Sequence, residues 1–435
     1  MAKADKLSTE PYKGTRDFYP EDWAQMKWLM DVMRTTAERF GYVEYNASIL
    51  EPAELYKAKT GEEIVSEQTY TFIDRGDREV TLRPEMTPTV ARMVAAKRRD
   101  LAFPLRWYSI PNLFRYEQPQ RGRLREHYQL NVDLFGAPGV EADIEIISLA
   151  TQILEAFGAT QQDYEVRIND RRFLSALFEQ LGLNEDTKKK ISKLADKKEK
   201  MPQEKWNMAL AELVPEHASI LEKIWNAKDM AETMAALPAG LAHSALKSIE
   251  ELMLGLSALG IKNAVFAPSL MRGFDYYNGM IFEIFDKNPE NRRALFGGGR
   301  YDNLLDIFGE SPIPAVGFGM GDVTVRDFLE VRGLLPAYRS PIDLYICRVE
   351  GAGADFVNES AKKLRQNGLN VAVDLSERKV GAQIESASKQ KIPFIVCLGK
   401  DEAENGTFKV KELESGEETE LSIGEVPNFI KGKKN

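Results

Sequence analysis

The chain has 435 residues, a formal net charge of −9, and 43% apolar and 29% charged residues, the profile of a folded protein of several domains. No apolar run approaches the ~20 residues of a membrane span, the residues up to Tyr12 are polar rather than signal-like, and two cysteines with three histidines, none at ligand spacing, argue against a disulfide scaffold and a zinc site. A cytoplasmic location is therefore expected, and any nucleic-acid surface must be a local basic patch on a negative body.

The first element is predicted at 21–40, where Trp23, Met26, Leu29, Met30, Met33 and Ala37 recur at helical steps and Gly41 ends the pattern. Strand-like runs follow at 70–75, 78–85, 105–117 and 127–136. Their closeness, with turns such as Gly76-Asp77, predicts an antiparallel sheet. Further strands are predicted at 164–169, 280–286 and 315–321. Between them, 172–258 has no strand-like run and reads as a helical insertion. Within it, 187–200 holds seven lysines against two acids, which is either a solvated helix face or a contact to phosphates. Pro336 and Ser340-Pro341 mark a linker. Beyond it, strands 342–349, 370–375 and 393–399 alternate with helices 352–366 and 380–390, the pattern of βαβ units on a parallel sheet. Cys347 and Cys397 fall in two of these strands and are expected to be inert core thiols.

Polar residues where a packing hairpin would be apolar mark a pocket. In 114–136, Arg115 and Glu117 on one predicted strand join Gln129 and Asp133 on the next, with Arg121, Arg123 and Arg125 nearby. Buried charges are costly unless paired, so the set points to a polar ligand, and arginine's planar fork suits phosphate or carboxylate. Glu85 and Thr87 could hold an ammonium group, while Thr87 before Pro88 is also a good helix start. Arg272, Asp275, Tyr276 and Tyr277 stand at the entry to an apolar strand. GGGRYD (297–302) and GFGMGD (317–322) permit close backbone approach but also make ordinary turns. Neither matches GxxxxGK[ST] or GxGxxG.

In order, LRPE-x-T (82–87), FRYEQPQRGRLRE-x-x-QLNVDLFG (114–136), RGFDYYNG (272–279), GGGRYD and PAVGFGMG (314–321) resemble the class II histidyl-tRNA synthetases, from about Lys13 to the C-terminus. RGFDYYNG is that family's histidine signature. The resemblance implies an α+β catalytic domain over 1–335, built on an antiparallel sheet, with a helical insertion at 172–258 that leans on the acceptor stem. A C-terminal α/β anticodon-binding domain would span 336–435. It implies a homodimeric ligase that activates L-histidine with ATP and transfers it to the 3′ end of tRNA(His). Mg²⁺ would arrive with the nucleotide, and no metal would be held by protein side chains.

By the same match, Arg115 and Arg272 are the catalytic arginines, in contact with the α-phosphate of ATP and with histidine. Glu85 and Thr87 bind the α-amino group. Gln129, Asp133, Tyr276 and Tyr277 form the imidazole pocket, and Tyr301 its floor. Glu117 and Arg123 line the nucleotide side, and Gln118–Arg123 is the motif 2 loop that meets the tRNA end. The family's motif 3 ends in Gly-φ-Glu-Arg, with its arginine on adenine and the γ-phosphate. Here Val323 and Thr324 stand in the Glu and Arg positions, and Arg326, Arg92 and Arg300 are candidate replacements. Ser48 stands where motif 1 carries a proline at the dimer interface, and Pro52 follows. These departures leave a second reading, a synthetase-like regulatory protein that binds histidine or tRNA without charging it.

Overall fold

A computed structural model describes residues 7–57, 68–195, 197–198, 201–227, 229–237, 243–271, 276–291 and 293–434. The chain divides into two units, Met1–Leu335 and Pro336–Asn435.

The first unit opens with the helix Pro20–Arg39. Proline stands at its first turn beside Glu21 and Asp22, and Arg39 stands in the last, all favourable to the helix dipole. Its strands are β1 (Val43–Glu44), β2 (Leu50–Pro52), β3 (Tyr70–Ile73), β4 (Glu79–Leu82), β5 (Leu105–Ser109), β6 (Asn112–Phe114), β7 (Glu126–Phe135), β8 (Tyr164–Asp170), β9 (Ala264–Phe266), β10 (Met280–Asp286), β11 (Ala294–Arg300) and β12 (Ala315–Gly321). The main sheet runs β1-β5-β7-β12-β11-β10-β8-β9, with β6 added to β7.

Three features differ from the sequence expectation. The sheet is antiparallel from β5 to β8 but mixed overall, because β1 and β9 pair in parallel at the two edges. β3 and β4 belong with β2 to a separate three-stranded sheet. The predicted strand 105–117 breaks at Ile110-Pro111, since proline has no N–H to give a ladder; the Pro111 carbonyl instead accepts from the Gln129 amide at 3.0 Å.

Alternation sorts the two faces. Leu130, Val132 and Leu134 of β7, with Val316, Phe318 and Met320 of β12, enter the main core. There they pack with residues of the helices Pro20–Arg39, Val140–Ala156 and Asp322–Val331. Period two sends Gln129, Asn131 and Asp133 to the opposite face. On that face Gly317 pairs with Asp133 and Gly319 with Asn131, while Gly299 and Gly297 of β11 pair with Gly317 and Gly319. From Arg171 to the residues before β9, the described residues hold helices and turns, packed on a core around Trp206 and Trp225, whose rings meet edge-on at 5.6 Å.

In the second unit, β13 (Leu344–Arg348) lies between β14 (Val371–Val373) and β15 (Phe394–Leu398), all parallel. The helices Ala354–Gln366 and Val380–Lys389 make the crossovers. β16 (Thr407–Glu412) and β17 (Glu418–Ser422), which the sequence reading lacked, extend β15 as an antiparallel hairpin. Cys347 and Cys397 are free thiols in register on adjacent strands.

Candidate active site

Seven of the expected residues, Glu85, Thr87, Gln129, Asp133, Tyr276, Tyr277 and Tyr301, line one cavity of ≈ 60 Å³. Asn131, Phe318 and the glycines Gly297, Gly317 and Gly319 complete it. Sequence reasoning missed Asn131, although its odd position on β7 places it beside Gln129 and Asp133. The glycines make a bare floor. A Cβ on Gly317 would stand 2.7 Å from the Tyr301 hydroxyl and collide with the Val132 carbonyl, and one on Gly319 would stand 2.9 Å from Gln129 Nε2. Gly317→Ala is expected to fill the floor of the cavity and to destabilise the fold by about 1–3 kcal/mol through overpacking. Thermal unfolding checks this, and a variant as stable as wild type would contradict the close packing of that floor.

One wall is held by a pinned loop. The buried Arg83 donates to the carbonyls of Asn112 at 3.0 Å and Ala47 at 2.8 Å. Arg115 Nε donates to the Pro84 carbonyl at 2.9 Å. Glu85, the next residue, accepts from the Tyr276 hydroxyl at 2.8 Å in a buried contact. Burial first, and then the charge of Glu85, push the Tyr276 hydroxyl well above its ordinary range, so it stays a donor. Thr87 is not a helix cap. The helix Thr87–Lys97 begins on it, and Met86 holds the cap position in helical geometry. Thr87 lines the cavity instead.

The other wall holds a carboxyl with an unmet need. Asp133 is 3% exposed. One oxygen accepts from the Tyr301 hydroxyl, while its buried Oδ2 has no hydrogen-bond partner. Burial pushes this carboxyl up to about 7, against the opposing pull of the Tyr301 hydrogen bond. The cavity thus offers an acceptor that lacks a donor, a costly arrangement unless a ligand completes it.

Other expected residues stand apart from the lining. Glu117 pairs with Arg123 at 3.0 Å, on the non-strand segment after β6 that carries Arg115. Arg272 and Asp275 lie outside the described residues. The three candidate replacements for the motif 3 cation are engaged elsewhere: Arg326 with Asp22 at 3.3 Å, Arg92 with Glu51 at 2.7 Å, and the buried Arg300 with Asp143 at 2.6 Å. Two features carried no sequence signal. Arg16 pairs with the buried Asp322 at 2.7 Å across 306 positions. His127, on the site face of β7, is pushed down to about 3 by burial and by Arg115 and Arg16, so it is neutral in a positive local field.

A family model described as histidyl-tRNA synthetase matches residues 14–323. The chain belongs to the histidyl-tRNA synthetase family. A second model, described as an anticodon-binding domain, matches residues 343–433. Members of the synthetase family similar to this chain include a histidine–tRNA ligase of Leptospira biflexa serovar Patoc, 43% identical over 434 residues and covering 99% of each chain. A histidine–tRNA ligase of Thermoplasma volcanium is 36% identical over 427 residues, 98% of this chain and 99% of its own. The crystal structure of histidyl-tRNA synthetase from Nostoc sp. superposes with a TM-score of 0.83 over 98% of this chain and 100% of that one. At 23% identity, that last likeness is one of fold.

Proposed function

We propose that this chain is a histidine–tRNA ligase. One observation carries the reading: Asp133, whose buried Oδ2 lacks a hydrogen-bond partner, and Glu85 line the same glycine-floored cavity. Histidine brings a donor for each, an imidazole N–H and an α-ammonium. Glu85 and Thr87 receive the ammonium. Asp133, oriented by Tyr301, and Gln129 receive the ring, with Tyr276 and Tyr277 enclosing it. Imidazole recognition by hydrogen bonds rejects isosteres that would leave these groups unpaired.

The substrate carboxylate then points to Arg115, which the Pro84 carbonyl holds next to Glu85. In the first step a carboxylate oxygen attacks the α-phosphorus of ATP, and pyrophosphate leaves. Arg115, with Arg272, neutralises the charge that gathers there. Glu117 and Arg123 face the nucleotide, and Mg²⁺ comes as part of that substrate, on the ATP phosphates. In the second step the terminal ribose hydroxyl of tRNA(His) attacks the adenylate carbonyl and AMP leaves.

Residues 1–335 form the catalytic domain in this reading, and 336–435 bind the anticodon, with Ser376–Lys379 as the contact loop. Arg378 is held there by Asp374 at 3.3 Å and by Ser376. Val43, Ile49, Leu50, Phe72 and Ile73 are exposed apolar residues around β1 to β3, a surface suited to the second copy of a homodimer. A cytoplasmic location suits the two free thiols. Among the described residues no helix is long and apolar enough to cross a membrane.

The lysine run supports an acceptor-stem contact. Lys188 and Lys190 are partly neutralised by Glu185 at 2.8 Å and Asp186 at 2.7 Å, while Lys189, Lys193 and Lys197 are exposed. Reversing these three to glutamate is expected to weaken tRNA binding, most at low salt, and to leave adenylation unchanged. Filter binding across a salt series checks it, and a parallel, unshifted series would return the run to a solvated face.

Charging itself is the test of the function. Labelled histidine should become acid-precipitable on tRNA, and periodate oxidation of the terminal ribose should abolish it. Tight histidine binding without adenylation or transfer would favour the regulatory reading.

A further inference from the structure

Thr324 stands where the family carries its motif 3 arginine, and the structure shows what gathers around it. Its Oγ1 donates to the Leu295 carbonyl at 2.6 Å, which brings the start of β11 beside the first turn of the helix Asp322–Val331. The tip of the motif 2 loop lies over the same threonine. A Cβ on Gly122, whose φ is +77°, would stand 3.5 Å from Thr324 Cγ2. Arg293, the residue before β11, reaches that tip, donating to the Arg121 carbonyl at 3.1 Å and to Gln120 Oε1 at 2.8 Å.

The charge state of this contact sets it apart. Arg92, Arg300 and Arg326 each meet a carboxylate, as do Arg123 with Glu117 and Arg121 with Asp327. The acceptors that hold Arg293 at the loop tip are a neutral carbonyl and a neutral amide, which orient a guanidinium without cancelling its charge. Arg293 is exposed, so solvent and an incoming anion can reach it.

We propose that Arg293 supplies the nucleotide-side cation that motif 3 lacks in this chain, binding the β- and γ-phosphates of ATP. This rests on the ligase reading above. In adenylation the histidine carboxylate oxygen bonds to the α-phosphorus. The bond from that phosphorus to the bridging oxygen breaks, and its electron pair leaves with pyrophosphate. Arg293 exchanges two neutral acceptors for phosphate oxygens, and charge-assisted bonds of that kind are about twice as strong as neutral ones. The cation thus comes from the β10–β11 hairpin instead of from the helix Asp322–Val331, whose first turn is covered by the loop tip.

In full-length enzyme, Arg293→Ala is expected to raise the KM for ATP in histidine-dependent pyrophosphate exchange about tenfold or more, while the KM for histidine moves less than about twofold. Arg293→Lys should recover part of the loss. The double variant Arg293→Ala, Thr324→Arg, which restores the family's cation, should bring the ATP value back toward wild type. Calorimetric binding of inorganic pyrophosphate reads the same contact without turnover and should weaken about tenfold in Arg293→Ala. Unchanged ATP and pyrophosphate values in a variant whose circular dichroism is native, or equal losses for ATP and histidine, would overturn the proposal. Absence of histidine-dependent exchange in the wild type would instead overturn the ligase reading, and pyrophosphate binding would still decide the role of Arg293.

Discussion

Arg115→Ala is expected to slow histidyl-adenylate formation by about 10²–10³-fold, with a change in histidine affinity of about tenfold or less. The reason lies in how the side chain is held. Its Nε donates to the Pro84 carbonyl at 2.9 Å, and its own amide donates to the Arg125 carbonyl at 2.9 Å. The guanidinium is therefore fixed to the loop that carries Glu85, the proposed ammonium contact. Binding the amino group and aligning the carboxylate become one rigid arrangement. Lysine would keep the charge and lose both the fork and the tie to Pro84, so Arg115→Lys should recover little. Single-turnover formation of the adenylate, measured beside equilibrium histidine binding, separates the two effects. A rate within about tenfold of wild type would remove Arg115 from the chemistry.

Asp133→Asn is expected to act in opposite directions on stability and on function. The native carboxyl sits at about 7 because burial disfavours its charge, whereas an unfolded aspartate titrates near ~4. Between those values the native state holds a proton that the unfolded chain has released, so stability falls as pH rises through the window. Above it, the whole cost of a buried, half-satisfied carboxylate is present. Asparagine carries no such cost and can still accept from Tyr301. The ligand-free variant should therefore be more stable than wild type by roughly 1–3 kcal/mol at pH 8, and equal to it at pH 4. Its histidine-dependent kcat/KM should fall about 100-fold or more, because the ring N–H loses its charged acceptor. Melting curves at the two pH values and exchange kinetics check both halves. Identical melting differences at both pH values would contradict the raised carboxyl.

Parts of this fold can be read directly from the chain. The helix Pro20–Arg39 announces itself through proline, acidic residues at its start and an unbroken apolar stripe. β7 does so through alternation, and that alternation also aims Gln129 and Asp133 at one face. Other parts have no such signal. β11 reads as a turn because glycines supply no β-propensity; they are there because their neighbours on β10 and β12, and the Tyr277 ring, leave no room for a Cβ. β1 and β9 are too short to show a period. The roles of Arg300 and Arg326 are set by Asp143 and Asp22, more than 150 positions away, so only the folded chain reveals that these cations are engaged. Thr87 beside Pro88 carries a helix-start signal, yet the helix takes in the threonine itself, which lines the cavity.

In the proposed reaction the cavity between Glu85 and Asp133 selects histidine for adenylation. Pyrophosphate exchange into ATP, run with each of the twenty amino acids on the purified full-length chain, tests it most directly. Exchange is expected with histidine alone, reduced in Asp133→Asn and nearly abolished in Arg115→Ala. Exchange supported by a different amino acid, or histidine-dependent exchange that survives both substitutions, would contradict it.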